Sequence, residues 1–120
     1  MRYRRLGRTN LQISEIGHGL WGMSGWTGSD DQISAQALQT AADLGCNFFD
    51  SAWAYGQGKS DALLGELLLH NPQALFAASK VPPRNLKWPA SAADKYEDVF
   101  PETHVLKHVN LIRAALGERA

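Results

Sequence analysis

Residues 46–72 read CNFFDSAWAYGQGKSDALLGELLLHNP, and this stretch contains a strand followed by a helix. Its first five residues, 46–50, form a largely apolar run that ends at a carboxylate, as expected for a buried strand. After a loop, Ser60 can cap a helix over residues 60–69, whose leucines recur at helical spacing. Pro72 ends that helix, because proline cannot continue it.

The same alternation extends from this stretch in both directions. A strand over 16–20 precedes a helix over 30–44, and a strand over 74–79 precedes a helix over 101–116. Strand–helix pairs that repeat after roughly 30 residues are typical of parallel strands joined by crossover helices. One domain over residues 1–120 therefore divides into a hairpin and βα units, at residues 1–15, 16–45, 46–72 and 73–117.

The sequence also predicts which parts of these units are buried or irregular. The residues Ile33, Ala37, Ala41 and Leu44 recur at steps of three or four, so they predict the buried face of the first helix. Residues 82–100 are longer than the common connection of about 2–6 residues. They predict either an elaborated loop or a partly ordered cover.

Length limits the architecture. The chain has 120 residues, whereas a complete barrel of eight strand–helix units usually needs about 250. The fold class is therefore α/β, as either a small open parallel sheet or the N-terminal part of a (β/α)8 barrel.

Composition and charge argue against several function classes. Twelve Lys and Arg balance twelve Asp and Glu, so no basic field calls for nucleic acid. No apolar run approaches the ~20 residues that a membrane span needs, and the N-terminus lacks the apolar core of a signal peptide. Cys46 is the single cysteine, which suits a reducing compartment. We expect a cytoplasmic protein without a nucleic-acid or membrane partner.

Chemically active side chains follow the predicted strands. Trp21 comes after the first strand, Asp50 and Tyr55 after the second, and Lys80 after the third. Because ligands bind at the carboxyl ends of parallel strands, these residues are candidates for one site. An ammonium beside a phenol stabilises the phenolate, which makes Tyr55 a candidate general acid. Each residue alone is more often a structural cap than a catalytic group.

Several segments in order carry a resemblance to a known family. They read LGRTNL (6–11), IGHGLW (16–21), AADLGCNFFDSA (41–52), YGQGKS (55–60) and SKV (79–81). With this spacing the chain resembles the N-terminal part of the aldo-keto reductases, over residues 1–81 and loosely over 101–117. The resemblance implies the N-terminal part of a (β/α)8 TIM barrel, with about three βα units preceded by a β-hairpin.

The resemblance also implies an activity. The family reduces aldehydes and ketones with NADPH, so a small-molecule carbonyl substrate is expected. By motif, Tyr55 corresponds to the proton donor, Lys80 to the neighbour that makes the phenol acidic, and Asp50 to the partner of Lys80.

The resemblance assigns cofactor contacts as well. Gly19, Leu20 and Trp21 match the segment that borders the nicotinamide end of the cofactor and the substrate mouth. Asp50 is expected to contact the cofactor as well. No metal is expected.

The chain departs from the family pattern at its C-terminal end. The family's catalytic histidine lies after a fourth strand, and its main phosphate- and adenine-binding segments lie near the last strands. His104 and His108 do not match that histidine. The resemblance therefore implies a reductase that is incomplete in this chain, without appreciable turnover alone, and prone to self-association through open barrel edges. The alternative is an inactive fragment or a non-enzymatic accessory protein that retains the fold.

Other patterns compete with this interpretation. Residues 17–22 spell G-x-G-x-x-G, and Asp43 follows after about twenty residues, as a dinucleotide fingerprint requires. However, that fingerprint should open directly into a helix, and a loop is predicted here. His104 and His108 have a spacing that can hold a metal, yet we expect them on a solvated helix face.

Aromatic side chains near the strand ends favour an apolar binding site. Trp21, Trp26 and Trp53 could line a pocket for an apolar carbonyl compound, because aromatic residues are common in ligand sites. They could equally be ordinary packing residues.

Overall fold

The computed structural model describes residues 1–25 and 28–117. The strands are β1 (Tyr3–Arg5), β2 (Gln12–Ser14), β3 (His18–Gly19), β4 (Phe48–Asp50) and β5 (Phe76–Ala78). The helices are α1 (Asp31–Asp43), α2 (Lys59–His70), α3 (Tyr96–Val99) and α4 (Glu102–Leu116), and a short 3-10 helix spans Trp21–Met23. Each predicted strand and long helix is present, although the strands are shorter than predicted.

The strands form an antiparallel hairpin and a parallel sheet. β1 pairs with β2, and the parallel sheet has the order β3-β4-β5. In the register of that sheet, Asp50 lies between Gly19 on one side and Ala78 on the other. Within the described ranges β3 and β5 are its outer strands, so self-association through open edges stays a prediction.

The core lies between the sheet and helices α1, α2 and α4. Phe49 from the central strand is fully buried there, together with Leu20, Leu38 and Leu64. The leucine face predicted for α2 is confirmed, because Leu64, Leu67 and Leu68 are buried. No helix in the described part of the chain is both long and apolar enough to span a membrane.

The predicted buried face of α1 is wrong by one residue. Ile33 and Leu44 are 66% and 71% exposed, whereas Ser34, Leu38 and Ala42 are buried. The apolar spacing is helical for both sets, but adjacent residues point about 100° apart around a helix. Packing of α1 against the sheet and α2 determines which face is buried, and Leu38 on that face fills the core.

The predicted cap of α2 is also corrected. Gly58, in the left-handed conformation, holds the N-cap position, and Ser60 lies one residue inside the helix. Ser60 Oγ instead donates to the carbonyl of Leu20, at 3.2 Å. The side chain therefore joins α2 to the end of β3 instead of closing its own helix.

Asn47 attaches the hairpin to the parallel sheet. Its side-chain Oδ1 accepts from Ser14 N at 2.7 Å, and its Nδ2 donates to the carbonyl of Gln12 at 2.9 Å. These bonds bridge β2 to the residue just before β4.

We expect Asn47→Ala to lower the free energy of unfolding by about 1–2 kcal/mol, because two partly exposed hydrogen bonds are lost. Urea unfolding followed by circular dichroism measures the change. The exposed Asn110 on α4 provides the control Asn110→Ala, and an equal loss in both variants would contradict the bridging role.

Candidate active site

β3, β4 and β5 end at one edge of the parallel sheet. Leu20 N donates to Asp50 O at 2.9 Å, and Ser51 N donates to Ala78 O at 2.8 Å. A further bond from Trp53 N to Lys80 O, at 3.2 Å, continues the pairing past the end of β5. The chain segments that leave these strands therefore remain side by side, as predicted from their order in the sequence.

Lys80 and Asp50 form an ion pair at this edge. Lys80 Nζ contacts Asp50 Oδ1 and donates to the carbonyl of Ser51 at 2.8 Å. The two side chains are 50% and 45% exposed. At such exposure an ion pair stabilises the fold by at most about 1 kcal/mol, so its main effect is to hold the amine in one place.

Tyr55 completes this cluster. Lys80 Nζ lies over the Tyr55 ring, 5.3 Å from its centroid. A cation over an aromatic face is attracted by the ring, by about 0.5–1 kcal/mol at exposed sites. The carboxylate, the ammonium and the phenol thus form a contiguous group, and the sequence identified all of its members.

Tight turns fix the loop that carries Tyr55. Tyr55 N donates to Ala52 O at 2.9 Å, and Gly58 N donates to Trp53 O at 2.8 Å. Gly58 has a φ of +93°, and a Cβ there would lie 2.4 Å from the Trp53 ring. Only glycine fits at this point without moving the ring, so the loop conformation depends on it.

An apolar cleft opens beside Tyr55 and Lys80. Its volume is about 440 Å³, which is within the usual range for small-molecule sites. Trp21, Leu86 and Trp88 line it, together with other apolar residues from the segments after β4 and β5. Its composition, apolar with a phenol and an amine at one side, suits an apolar molecule with one polar atom.

The residues predicted at the nicotinamide end differ in accessibility. Gly19 is exposed, with nothing within 4 Å of where its Cβ would lie, and Trp21 is 60% exposed. An open backbone and a flat aromatic side chain fit a planar ring. Leu20, in contrast, is fully buried, and its side chain packs in the core.

Comparison with known proteins assigns the family. The family model described as "Aldo/keto reductase family" matches residues 15–112. The chain belongs to the aldo/keto reductase family. This confirms the resemblance found in the sequence.

Two curated relatives illustrate the match. Aldo-keto reductase YhdN of Bacillus subtilis is 34% identical over 70 residues, which cover 57% of this chain and 21% of that protein. A protein of Oryza sativa subsp. japonica, described as a probable voltage-gated potassium channel subunit beta, is 34% identical over 68 residues, covering 57% and 20%. The chain spans about a fifth of the length of these relatives.

A solved structure shows the same fold. The holo form of an aldo-keto reductase from Bacillus halodurans has a TM-score of 0.75 and 24% identity, over 97% of this chain and 36% of that chain. This similarity confirms the prediction of an α/β fold that corresponds to part of a TIM barrel.

The aromatic residues of this aldo/keto reductase chain divide between the two alternatives that the sequence left open, a pocket lining and ordinary packing. Trp21 lines the cleft, but Trp53 packs against the core and the backbone of Gly58. Trp26 lies outside the described residues. Trp88, which the sequence did not single out, also lines the cleft. It belongs to the irregular segment over 82–100, where no periodicity indicates which side chains face a site.

The sequence predicted a solvated helix face for His104 and His108, and this prediction is wrong. Both are half-buried, and their ring centroids are 4.2 Å apart. His104 Nε2 hydrogen-bonds the carbonyl of Pro82 at 2.7 Å, and the His108 ring meets the Trp53 ring edge at 6.1 Å. The pair therefore joins α4 to the two segments that line the cleft. Among the described residues, no three His, Cys, Asp or Glu side chains are grouped as metal ligands would be.

The G-x-G-x-x-G pattern does not form a dinucleotide fingerprint. Residues 17–22 lead into the 3-10 helix at Trp21–Met23, and α1 starts only at Asp31. Asp43 lies at the end of α1, where Gln39 Nε2 donates to its carboxylate. The requirement that the glycines open into a helix is therefore not met, as the sequence indicated.

Proposed function

We propose that this chain supplies the proton-donating part of a reductase that converts aldehydes or ketones to alcohols with NADPH. The observation that carries the proposal is the cluster at the end of the sheet. Lys80 pairs with Asp50 and lies over Tyr55, and the phenol borders an apolar cleft. Membership of an oxidoreductase family supports the same reaction class.

Tyr55 acts as the general acid in this proposal. A carbonyl compound in the cleft places its oxygen at the phenol, which donates a proton to that oxygen as negative charge develops on it. The ammonium of Lys80 stabilises the phenolate that remains. Asp50 and the carbonyl of Ser51 hold the ammonium over the ring.

NADPH, when bound, supplies the hydride that adds to the carbonyl carbon. We assign its nicotinamide end to the surface formed by Gly19 and Trp21, because both residues are exposed. Gly19 pairs with Asp50 in the sheet, and Trp21 lines the cleft. Leu20 holds this segment in place, since its carbonyl accepts from Ser60 Oγ.

The substrate in this proposal is a small apolar carbonyl compound. Trp21, Leu86 and Trp88 offer apolar surface, and the polar groups beside them can bind a single oxygen atom. A charged group placed against these three apolar side chains would lose its hydration without a matching partner.

The test replaces Tyr55 by phenylalanine in a hybrid enzyme. Residues 15–112 replace the matching segment of the Bacillus subtilis relative, because the chain spans only about a fifth of that protein. With benzaldehyde as substrate, we expect NADPH oxidation to fall about 100-fold in Tyr55→Phe, since a general acid contributes at least that factor. Tyr96→Phe, an exposed tyrosine outside the cleft lining, is the matched control. A folded hybrid that loses no activity on Tyr55→Phe would refute the assignment.

The second candidate is an accessory protein that keeps the reductase fold without turnover. The rice relative described as a probable channel subunit supports it, because its similarity to this chain is as high as that of the bacterial reductase. The same assay separates the two candidates. A folded hybrid with no NADPH oxidation above its Tyr55→Phe variant would favour the accessory role.

A further inference from the structure

Asp61 is a buried carboxylate that the proposed reaction does not use. It is fully buried in the first turn of α2. Its Oδ1 accepts from Ser79 Oγ at 2.9 Å, and its Oδ2 has no hydrogen-bond partner within the described residues. Aspartate is almost never fully buried unless it is paired, so its presence here requires a physical reason.

The first turn of α2 is bonded to both outer strands of the sheet. Ser60, also fully buried, donates from Oγ to the carbonyl of Leu20 at the end of β3. Asp61 binds Ser79 at the end of β5. Since β4 leads into α2 through the Tyr55 loop, this turn fixes the three strand ends relative to one another.

We propose that Asp61 is a positioning residue for Lys80, acting through the side chain of Ser79. Ser79 directly precedes Lys80, so fixing Ser79 Oγ fixes the direction in which the Lys80 side chain leaves the strand. That direction brings Nζ to Asp50 and to the carbonyl of Ser51. The inference rests on the proposed function only for the role of Lys80, because the contacts themselves involve no substrate or cofactor.

The position of Asp61 in the helix explains why a carboxylate is tolerated there. The N-terminal turn of a helix carries partial positive charge, which stabilises an acidic side chain in that turn. Asparagine retains an oxygen that can accept from Ser79 Oγ, whereas alanine does not. The two substitutions therefore separate the hydrogen bond from the charge.

The experiment measures how fast the Lys80 amine reacts in the full chain. Reductive methylation with formaldehyde, followed by mass spectrometry, gives the rate for each lysine, and the exposed Lys107 on α4 is the internal reference. We expect Asp61→Ala and Ser79→Ala to raise the Lys80/Lys107 rate ratio roughly two- to fivefold, the range that loss of an exposed ion pair supports. Asp61→Asn is expected to leave the ratio unchanged. Asp43→Ala, at an exposed carboxylate on α1, controls for charge loss alone.

Several results would overturn the proposal. One is an unchanged ratio in Ser79→Ala, which decides the matter if Asp61→Ala does not fold. Another is an equal rise in Asp61→Asn and Asp61→Ala, because charge and not the hydrogen bond would then matter. Loss of folding in both alanine variants would also overturn it, since the pair would then act on the whole fold. Because the assay contains no NADPH and uses formaldehyde only to modify amines, a raised ratio stands even if the reductase function fails.

Discussion

Gly58→Ala is expected to lower the free energy of unfolding by about 2–5 kcal/mol, because two separate penalties add. The φ of Gly58 is +93°, and an L-residue in the left-handed region loses about 1–2 kcal/mol. The new Cβ would also lie 2.4 Å from the Trp53 ring, and overpacking of this kind costs about 1–3 kcal/mol. The ring cannot yield freely, since Trp53 packs against the core.

Gly7 provides the matched control for this substitution. Its φ is +52°, and nothing lies within 4 Å of the position where its Cβ would be. Gly7→Ala therefore carries the conformational penalty without the clash, and we expect the smaller loss. Urea unfolding of both variants and the wild type measures the difference. Equal losses would show that the Trp53 contact contributes nothing.

Gly65→Ala is expected to lower the free energy of unfolding by about 1–2 kcal/mol, because an overpacking cost of up to about 3 kcal/mol outweighs the gain of about 1 kcal/mol that helix propensity alone predicts. Gly65 lies inside α2 where α4 crosses it. A Cβ there would be 2.3 Å from the carbonyl oxygen of Ala115 and 3.2 Å from the backbone of Leu116. Backbone atoms cannot rotate away as a side chain can, so the two helices would have to separate.

Whether Gly65→Ala raises or lowers the free energy of unfolding decides this prediction. Ala62→Gly, at an exposed position of the same helix, gives the propensity difference without any packing change, and a loss of about 1 kcal/mol is expected. Thermal and urea unfolding of both variants provide the comparison. A Gly65→Ala variant that is more stable than the wild type would contradict the close approach of α2 and α4.

The sequence predicted the elements because their signals are local. Turn-forming residues between two short strands specify the hairpin, and leucines at helical spacing specify α2 and its buried face. Gly45, with a φ of +92°, follows α1 where a helix end was expected. Parallel strands place their carboxyl ends at one edge, so the order of Asp50, Tyr55 and Lys80 along the chain was enough to bring them together.

Interactions between distant residues could not be predicted in this way. Ile33 and Leu38 both fit a helical apolar pattern, and the choice between them depends on how α1 packs on the sheet. The role of Ser60 changed from a cap to a contact with Leu20, because Gly58 takes the cap position. Such choices depend on distances that no local pattern contains.

By itself, therefore, the sequence determined the order of strands and helices, the family and the cluster of acid, phenol and amine. Only the tertiary structure decided the cleft wall around Trp88, the half-buried histidines of α4 and the buried Asp61 at Ser79. The physical reason is that backbone hydrogen bonding and periodic burial act over neighbouring residues. The shape of a cleft, in contrast, depends on side chains brought together from segments that lie far apart in the chain.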